Sequence, residues 1–199
     1  NPAAFLEQMR RVEENIYDSV AVVFQSGLGL DRQEVVSNKT IVTLKRLGYL
    51  SGNSKIQISS TIRSPERQVD AMYNNLQNGN RIRYGAPGRK VVAVYDSEVS
   101  KGSSVLEIKS EMVKKVKELQ EVEQLVSLHC VSLKSYQKLN VIDVSISGSG
   151  FTDVEKFLEE LSKEEVIKRV IHPIDNIEVS SKKLVYDPNE PAIHIEVAQ

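Results

Sequence analysis

The chain has 199 residues, 40% of them hydrophobic, which is enough for one sizeable core or two small ones. Its 26 basic and 27 acidic side chains leave a net charge of -1, so the balance points to no nucleic-acid surface and no polybasic membrane anchor. The apolar runs fall far short of the roughly 20 residues that span a bilayer, and the single cysteine, Cys130, excludes an internal disulfide and any multi-cysteine zinc site.

In chain order, Phe5, Met9, Val12, Ile16, Val20 and Val23 recur at spacings of three and four. They predict an amphipathic helix over Pro2 to Gln25, suited to packing on the body of the protein or on a partner chain. The first residue is Asn rather than Met, which points to a processed or truncated amino terminus and leaves a removed signal open. Ile41, Leu44 and Leu47 predict a second helix from Asn38, with Gly48 as its stop. The turn-rich Ser51 to Ser54 marks the boundary between a helical extension, 1–50, and a main domain, 51–199.

Lys55 to Thr61 alternates as a strand. Ser64 then reads as an N-cap and Pro65 as the first residue of a helix to about Asn78, so Arg63 stands just before that helix and Gln68 one turn inside it. Gly79 to Gly88 is a glycine-rich loop without the phosphate-loop pattern, expected at the rim of a site. Val91 to Tyr95 fits strand or helix, and Ser104 to Glu121 is helical.

Leu125, Val126, Leu128 and Val131 form a β-like run around His129, and Leu139 to Val144 a second run that carries Asp143 among apolar residues. A carboxylate in such a run calls for a partner, a metal or a basic group, because an unpaired buried charge costs several kcal/mol or shifts its pKa. Next to His129 on a strand, Cys130 is expected to face the core. Thr152 is expected to cap a helix to about Leu161. Strands follow at Val166 to Ile171, Ile177 to Val179, Leu184 to Tyr186 and Ala192 to Val197, the last carrying His194 and Glu196. The order predicts an α+β fold with a mostly antiparallel sheet. His129, Asp143 and His194 together offer two imidazoles and a carboxylate, the donor set of a zinc site that keeps one position open.

Three segments resemble the zinc D-Ala-D-Ala carboxypeptidases and dipeptidases and the related peptidoglycan endopeptidases, whose domain is shared with the Hedgehog signalling domain. Ser60-x-x-Arg63-Ser64-x-x-x-Gln68 is similar to the family's Ser-x-x-Arg-Ser-x-x-x-Gln; Ser127-x-His129 followed by Asn140-Val-Ile-Asp143 is similar to its Ser-x-His and Asp segment; Glu190-Pro-Ala-Ile-His194 is similar to its Glu-Pro-Trp-His end. The matches run in the family's order over Lys55 to Val197. The resemblance implies a Hedgehog/DD-peptidase fold, zinc held by His129, Asp143 and His194, Glu190 as general base, and Arg63, with Gln68 and Ser60, on the substrate.

It implies a peptidoglycan stem peptide as substrate, hence an extracytoplasmic site of action; a protein partner is a separate expectation, read from the amphipathic first helix, which lies outside the resemblance. The chain departs from the family in two spacings. Thirteen residues separate His129 from Asp143 where the family has six, which predicts an inserted loop around Ser132 to Lys138. Glu190 stands four rather than three residues before His194, so Glu196, on the His194 face, is weighed beside it. Two other readings stay open: a module that keeps the fold and the metal without hydrolysis, and a metal-free ion pair between Asp143 and Arg63.

Overall fold

The computed structural model describes residues 3–4, 12, 16–79 and 84–199. They form an α+β structure with a mixed six-stranded sheet. The strands are β1 (Ala21–Phe24), β2 (Lys55–Ser60), β3 (Leu139–Val144), β4 (Ile167–His172), β5 (Leu184–Tyr186) and β6 (Ile193–Ala198). Their order in the sheet is β1-β2-β3-β6-β4-β5. The helices are α1 (Leu30–Gln33), α2 (Asn38–Leu50), α3 (Pro65–Gln77), α4 (Ala86–Lys101), α5 (Val105–Glu121), α6 (Leu133–Tyr136), α7 (Ile146–Ser149) and α8 (Val154–Lys163). Two compact units emerge: residues 1–61 with 136–199, and residues 62–135.

The first unit holds the sheet. The expected mostly antiparallel sheet is corrected to a mixed one: the centre, β2-β3-β6-β4, is antiparallel, but β1 pairs parallel with β2 and β5 parallel with β4. The parallel β1-β2 pair follows from the connection between them, which returns through α1 and α2 as parallel neighbours require. Parallel β4 and β5 are joined instead by the irregular segment 173–183, so the expected strand at Ile177 to Val179 is absent.

One face of the sheet carries Ile56, Ile58, Ile142, Val144, Ile167, Val170, Ile193, Ile195 and Val197, and these pack with Leu44 and Leu47 of α2 and Phe157, Leu158 and Leu161 of α8. Buried Asn140 ties β3 to the start of α2: its Oδ1 accepts from the Ser37 N–H and the Thr40 hydroxyl, and its Nδ2 donates to the Tyr136 carbonyl. That satisfies donors a helix start otherwise leaves unpaired.

Helix α2 runs through Gly48 to Leu50, so the glycine is not its stop. A Cβ at Gly48 would stand 2.7 Å from Val20 Cγ1 and 3.0 Å from the Asn53 carbonyl oxygen, so its role is close packing. The N-cap of α8 is Asp153 rather than Thr152. Of the expected first helix, residues 2, 5–11 and 13–15 lie outside the described residues; residues 3–4, 12 and 16–17 are helical, but the helix does not reach Gln25, because Ala21–Phe24 is strand β1.

The second unit is helical. Val69, Met72, Tyr73 and Leu76 of α3, Val91 and Tyr95 of α4, and Ile108, Met112, Val116 and Leu119 of α5 form its core together with Cys130. The sequence marks the helix starts well. Ser64 caps α3 by accepting from the Arg67 N–H, and Ser104 with Glu107 completes a capping box on α5. Helix α4 absorbs Val91 to Tyr95 and begins at Ala86, so the expected loop ends before Gly88; residues 80–83 of it lie outside the described set.

Candidate metal centre

Asp143 and His194 are direct cross-strand partners on β3 and β6. Their neighbours Ile142, Val144, Ile193 and Ile195 point into the core, so strand alternation turns Asp143, His194 and Glu196 onto the opposite face of the sheet. There His194 Nδ1 lies 3.2 Å from Asp143 Oδ1, and His194 Nε2 lies 3.5 Å from Glu196 Oε1. All three side chains are buried. Burial alone would lower the imidazole's pKa, but the hydrogen bonds and charges of Asp143 and Glu196 outweigh it and raise His194 to about 9.

Strand β2 backs this pair. A bulge sets Ser60 opposite Asp143, the Ser59 hydroxyl donates to the Asp143 carbonyl at 3.2 Å, and Arg32 Nη2 donates to Ser60 Oγ at 3.4 Å. Arg32, on the short helix α1, carries no local sequence signal that would single it out.

In the helical unit, Arg63 and Gln68 meet as their positions around the Ser64 cap predict: Arg63 Nη1 donates to the buried Gln68 Oε1 at 3.5 Å. The Arg63 N–H donates to the His129 carbonyl at 2.7 Å. His129 is buried but does not sit on a strand, a correction to the β-like reading of Leu125 to Val131. The segment is a chain of turns, in which the Ser127 hydroxyl accepts from the His129 N–H and the Ser127 carbonyl from the Cys130 N–H. Cys130 is buried in the helical core, its thiol pushed up to about 11 by burial and Gln120 Nε2 3.3 Å from its sulfur, so it stays protonated. The expected loop at Ser132 to Lys138 contains helix α6, anchored by fully buried Tyr136, whose hydroxyl donates to the Val141 carbonyl.

Glu190 is half-buried in the turn before β6, with its N–H on the Asp187 carbonyl. Pro191 and Ala192 lie in a bend rather than on the strand, so alternation along β6 does not govern where Glu190 points. The third histidine, His172, is buried on β4 with Nδ1 lacking a hydrogen-bond partner, and burial lowers its pKa.

Asp143 and His194 are two buried donors that could share a metal ion, and His129, the third residue of the expected set, is buried in the helical unit. The donor set fits zinc in chemistry. It also fits in spacing where the two strands fix it: atoms sharing a tetrahedral ion at about 2.0–2.1 Å stand roughly 3.3–3.4 Å apart, close to the 3.2 Å between Asp143 Oδ1 and His194 Nδ1. Were Nδ1 to hold the metal, Nε2–H would face Glu196, whose Oε1 is buried and without another hydrogen bond. A carboxylate behind a metal-bound imidazole fixes its tautomer and orientation.

No family model, curated protein or solved structure matches this chain. Among the described residues no helix is long and apolar enough to cross a membrane.

Proposed function

We propose that this chain is a zinc-dependent peptidase acting on peptidoglycan stem peptides that contain D-alanine. The observation that carries the reading is the register of β3 and β6, which seats a buried carboxylate and an imidazole at the separation of two zinc ligands. The motif resemblance, which includes Arg63, Gln68, His129 and Glu190 in order, supports it. His129, Asp143 and His194 would hold the metal, and a zinc ion bound there supplies a polarising charge for a peptide carbonyl and a lowered pKa for water.

The chain's own residues divide the remaining work. Glu196 holds the His194 ring through Nε2. Arg63, braced by Gln68, binds the substrate carbonyl or carboxylate and offers a fixed cation where negative charge develops. Glu190, less buried than Glu196, is the proton acceptor and passes the proton to the leaving amine. Ser60 lines the site from β2.

Chelator-sensitive release of D-alanine from a pentapeptide stem by the zinc-loaded chain, lost in His129→Ala, is the expected result. Stoichiometric zinc without cleavage of any muropeptide would instead favour a non-catalytic metal-binding or protein-interaction module on the same fold. The four-residue spacing between Glu190 and His194 is the observation on that side.

A further inference from the structure

Strand β4 carries an irregularity beside Glu196. Ile167 stands opposite Val197 and Arg169 opposite Glu196, so Lys168 and Arg169 together oppose one residue of β6, which is a β-bulge. Burial shows what the extra residue does. Ile167 and Val170, three apart, are both fully buried in the core, while Lys168 and Arg169 between them are both exposed. An unbroken strand would have turned one of the two into the core; the bulge places both cations on the face that carries Asp143, His194 and Glu196.

The two cations are not equivalent. Lys168 Nζ is folded back onto the Glu165 carbonyl at 3.3 Å. The Arg169 guanidinium makes no hydrogen bond or ion pair with any described residue, although Glu196 is its cross-strand neighbour. Glu196 is instead directed at His194 Nε2, so its charge is spent on the imidazole. Ile171 is the cross-strand partner of His194, which leaves Arg169 two positions, roughly 7 Å, further along the strand. A guanidinium presents a planar fork of donors that matches a carboxylate with two parallel hydrogen bonds.

From this placement we infer that Arg169 receives the free terminal carboxylate of the peptide substrate and selects chain ends over internal bonds. The inference rests on the peptidase reading and sharpens it, because an enzyme that grips a terminal carboxylate releases one terminal residue or splits a dipeptide.

The test uses the full chain in chelator, so that neither probe is turned over. N-acetyl-D-alanyl-D-alanine and its C-terminal amide are titrated into the wild type, Arg169→Gln and Arg169→Lys, and binding is followed by NMR. The wild type is expected to bind the acid at least tenfold more tightly than the amide, Arg169→Gln to bind both alike, and Arg169→Lys to keep part of the preference. Equal binding of acid and amide by the wild type, or a preference that survives in Arg169→Gln, overturns the inference. Failure of the peptidase reading shows separately, as a chain that takes up no zinc on reconstitution or cleaves neither peptide, whatever its preference between the two probes.

Discussion

His194 Nδ1 stands 3.2 Å from Asp143 Oδ1 because β3 and β6 pair in a register that sets the two residues directly opposite each other. A slip of β6 by one residue would turn His194 toward the apolar core formed by Ile142, Val144, Ile193 and Ile195 and away from Asp143. The pair is therefore specified by the same alternation that builds the sheet, and it fixes two of the three proposed ligands before any metal arrives.

The metal-free protein has a defined titration. His194, raised to about 9, stays protonated at neutral pH between Asp143 and Glu196. Its folded pKa lies above its unfolded value, so its stabilising contribution is complete below about pH 6.5 and is lost as pH rises through about 9. NMR of the His194 ring in chelator should show a midpoint near 9 that falls toward the ordinary range in Asp143→Asn. A His194 midpoint near 6.5 in the wild type would mean that the contacts to Asp143 and Glu196 do not hold in solution.

Zinc uptake must expel that proton, so affinity should rise with pH from neutrality toward about 9 and binding should release close to one proton at pH 7. Calorimetry in buffers of different ionisation enthalpy measures the release directly. Uptake with no proton release would indicate that His194 is not a ligand.

Arg63→Ala should lower kcat/KM by about 10²–10³, the usual cost of removing one donor from a site of developing negative charge. Zinc content should be unchanged, since Arg63 contributes no ligand. Gln68→Ala, which removes only the brace on the guanidinium, should give a smaller loss in the same direction. Unchanged turnover in Arg63→Ala would remove it from the mechanism.

Gly48→Ala should destabilise the fold by about 1–3 kcal/mol, as overpacking of a tight core does. The new methyl would meet Val20 Cγ1 and the Asn53 carbonyl inside the packed face of α2. Thermal unfolding of the metal-free chain reads this, and a melting temperature equal to the wild type's would contradict the packing described.

Much of this was legible in the sequence where one local rule decides the outcome. The Ser64-Pro65 start of α3 puts Arg63 and Gln68 within reach of each other, and the two-residue alternation of β3 and β6 puts Asp143 and His194 on the polar face. The rest depends on partners far along the chain. Ala21–Phe24 continues a helical spacing, yet it becomes a strand because β2 offers it a parallel ladder. The apolar residues around His129 serve the helical core through turns, and only the Ser127 hydroxyl hints at this. Two successive charges at Lys168 and Arg169 inside an otherwise apolar strand were the visible trace of the bulge.

Metal analysis of the purified full chain decides whether His129, Asp143 and His194 hold zinc. About one zinc per wild-type chain is expected, and essentially none in His129→Ala or His194→Ala, with chelator lowering the wild-type melting temperature. A wild-type protein that carries no zinc, takes none up on reconstitution and melts at the same temperature with and without chelator would contradict the proposed site.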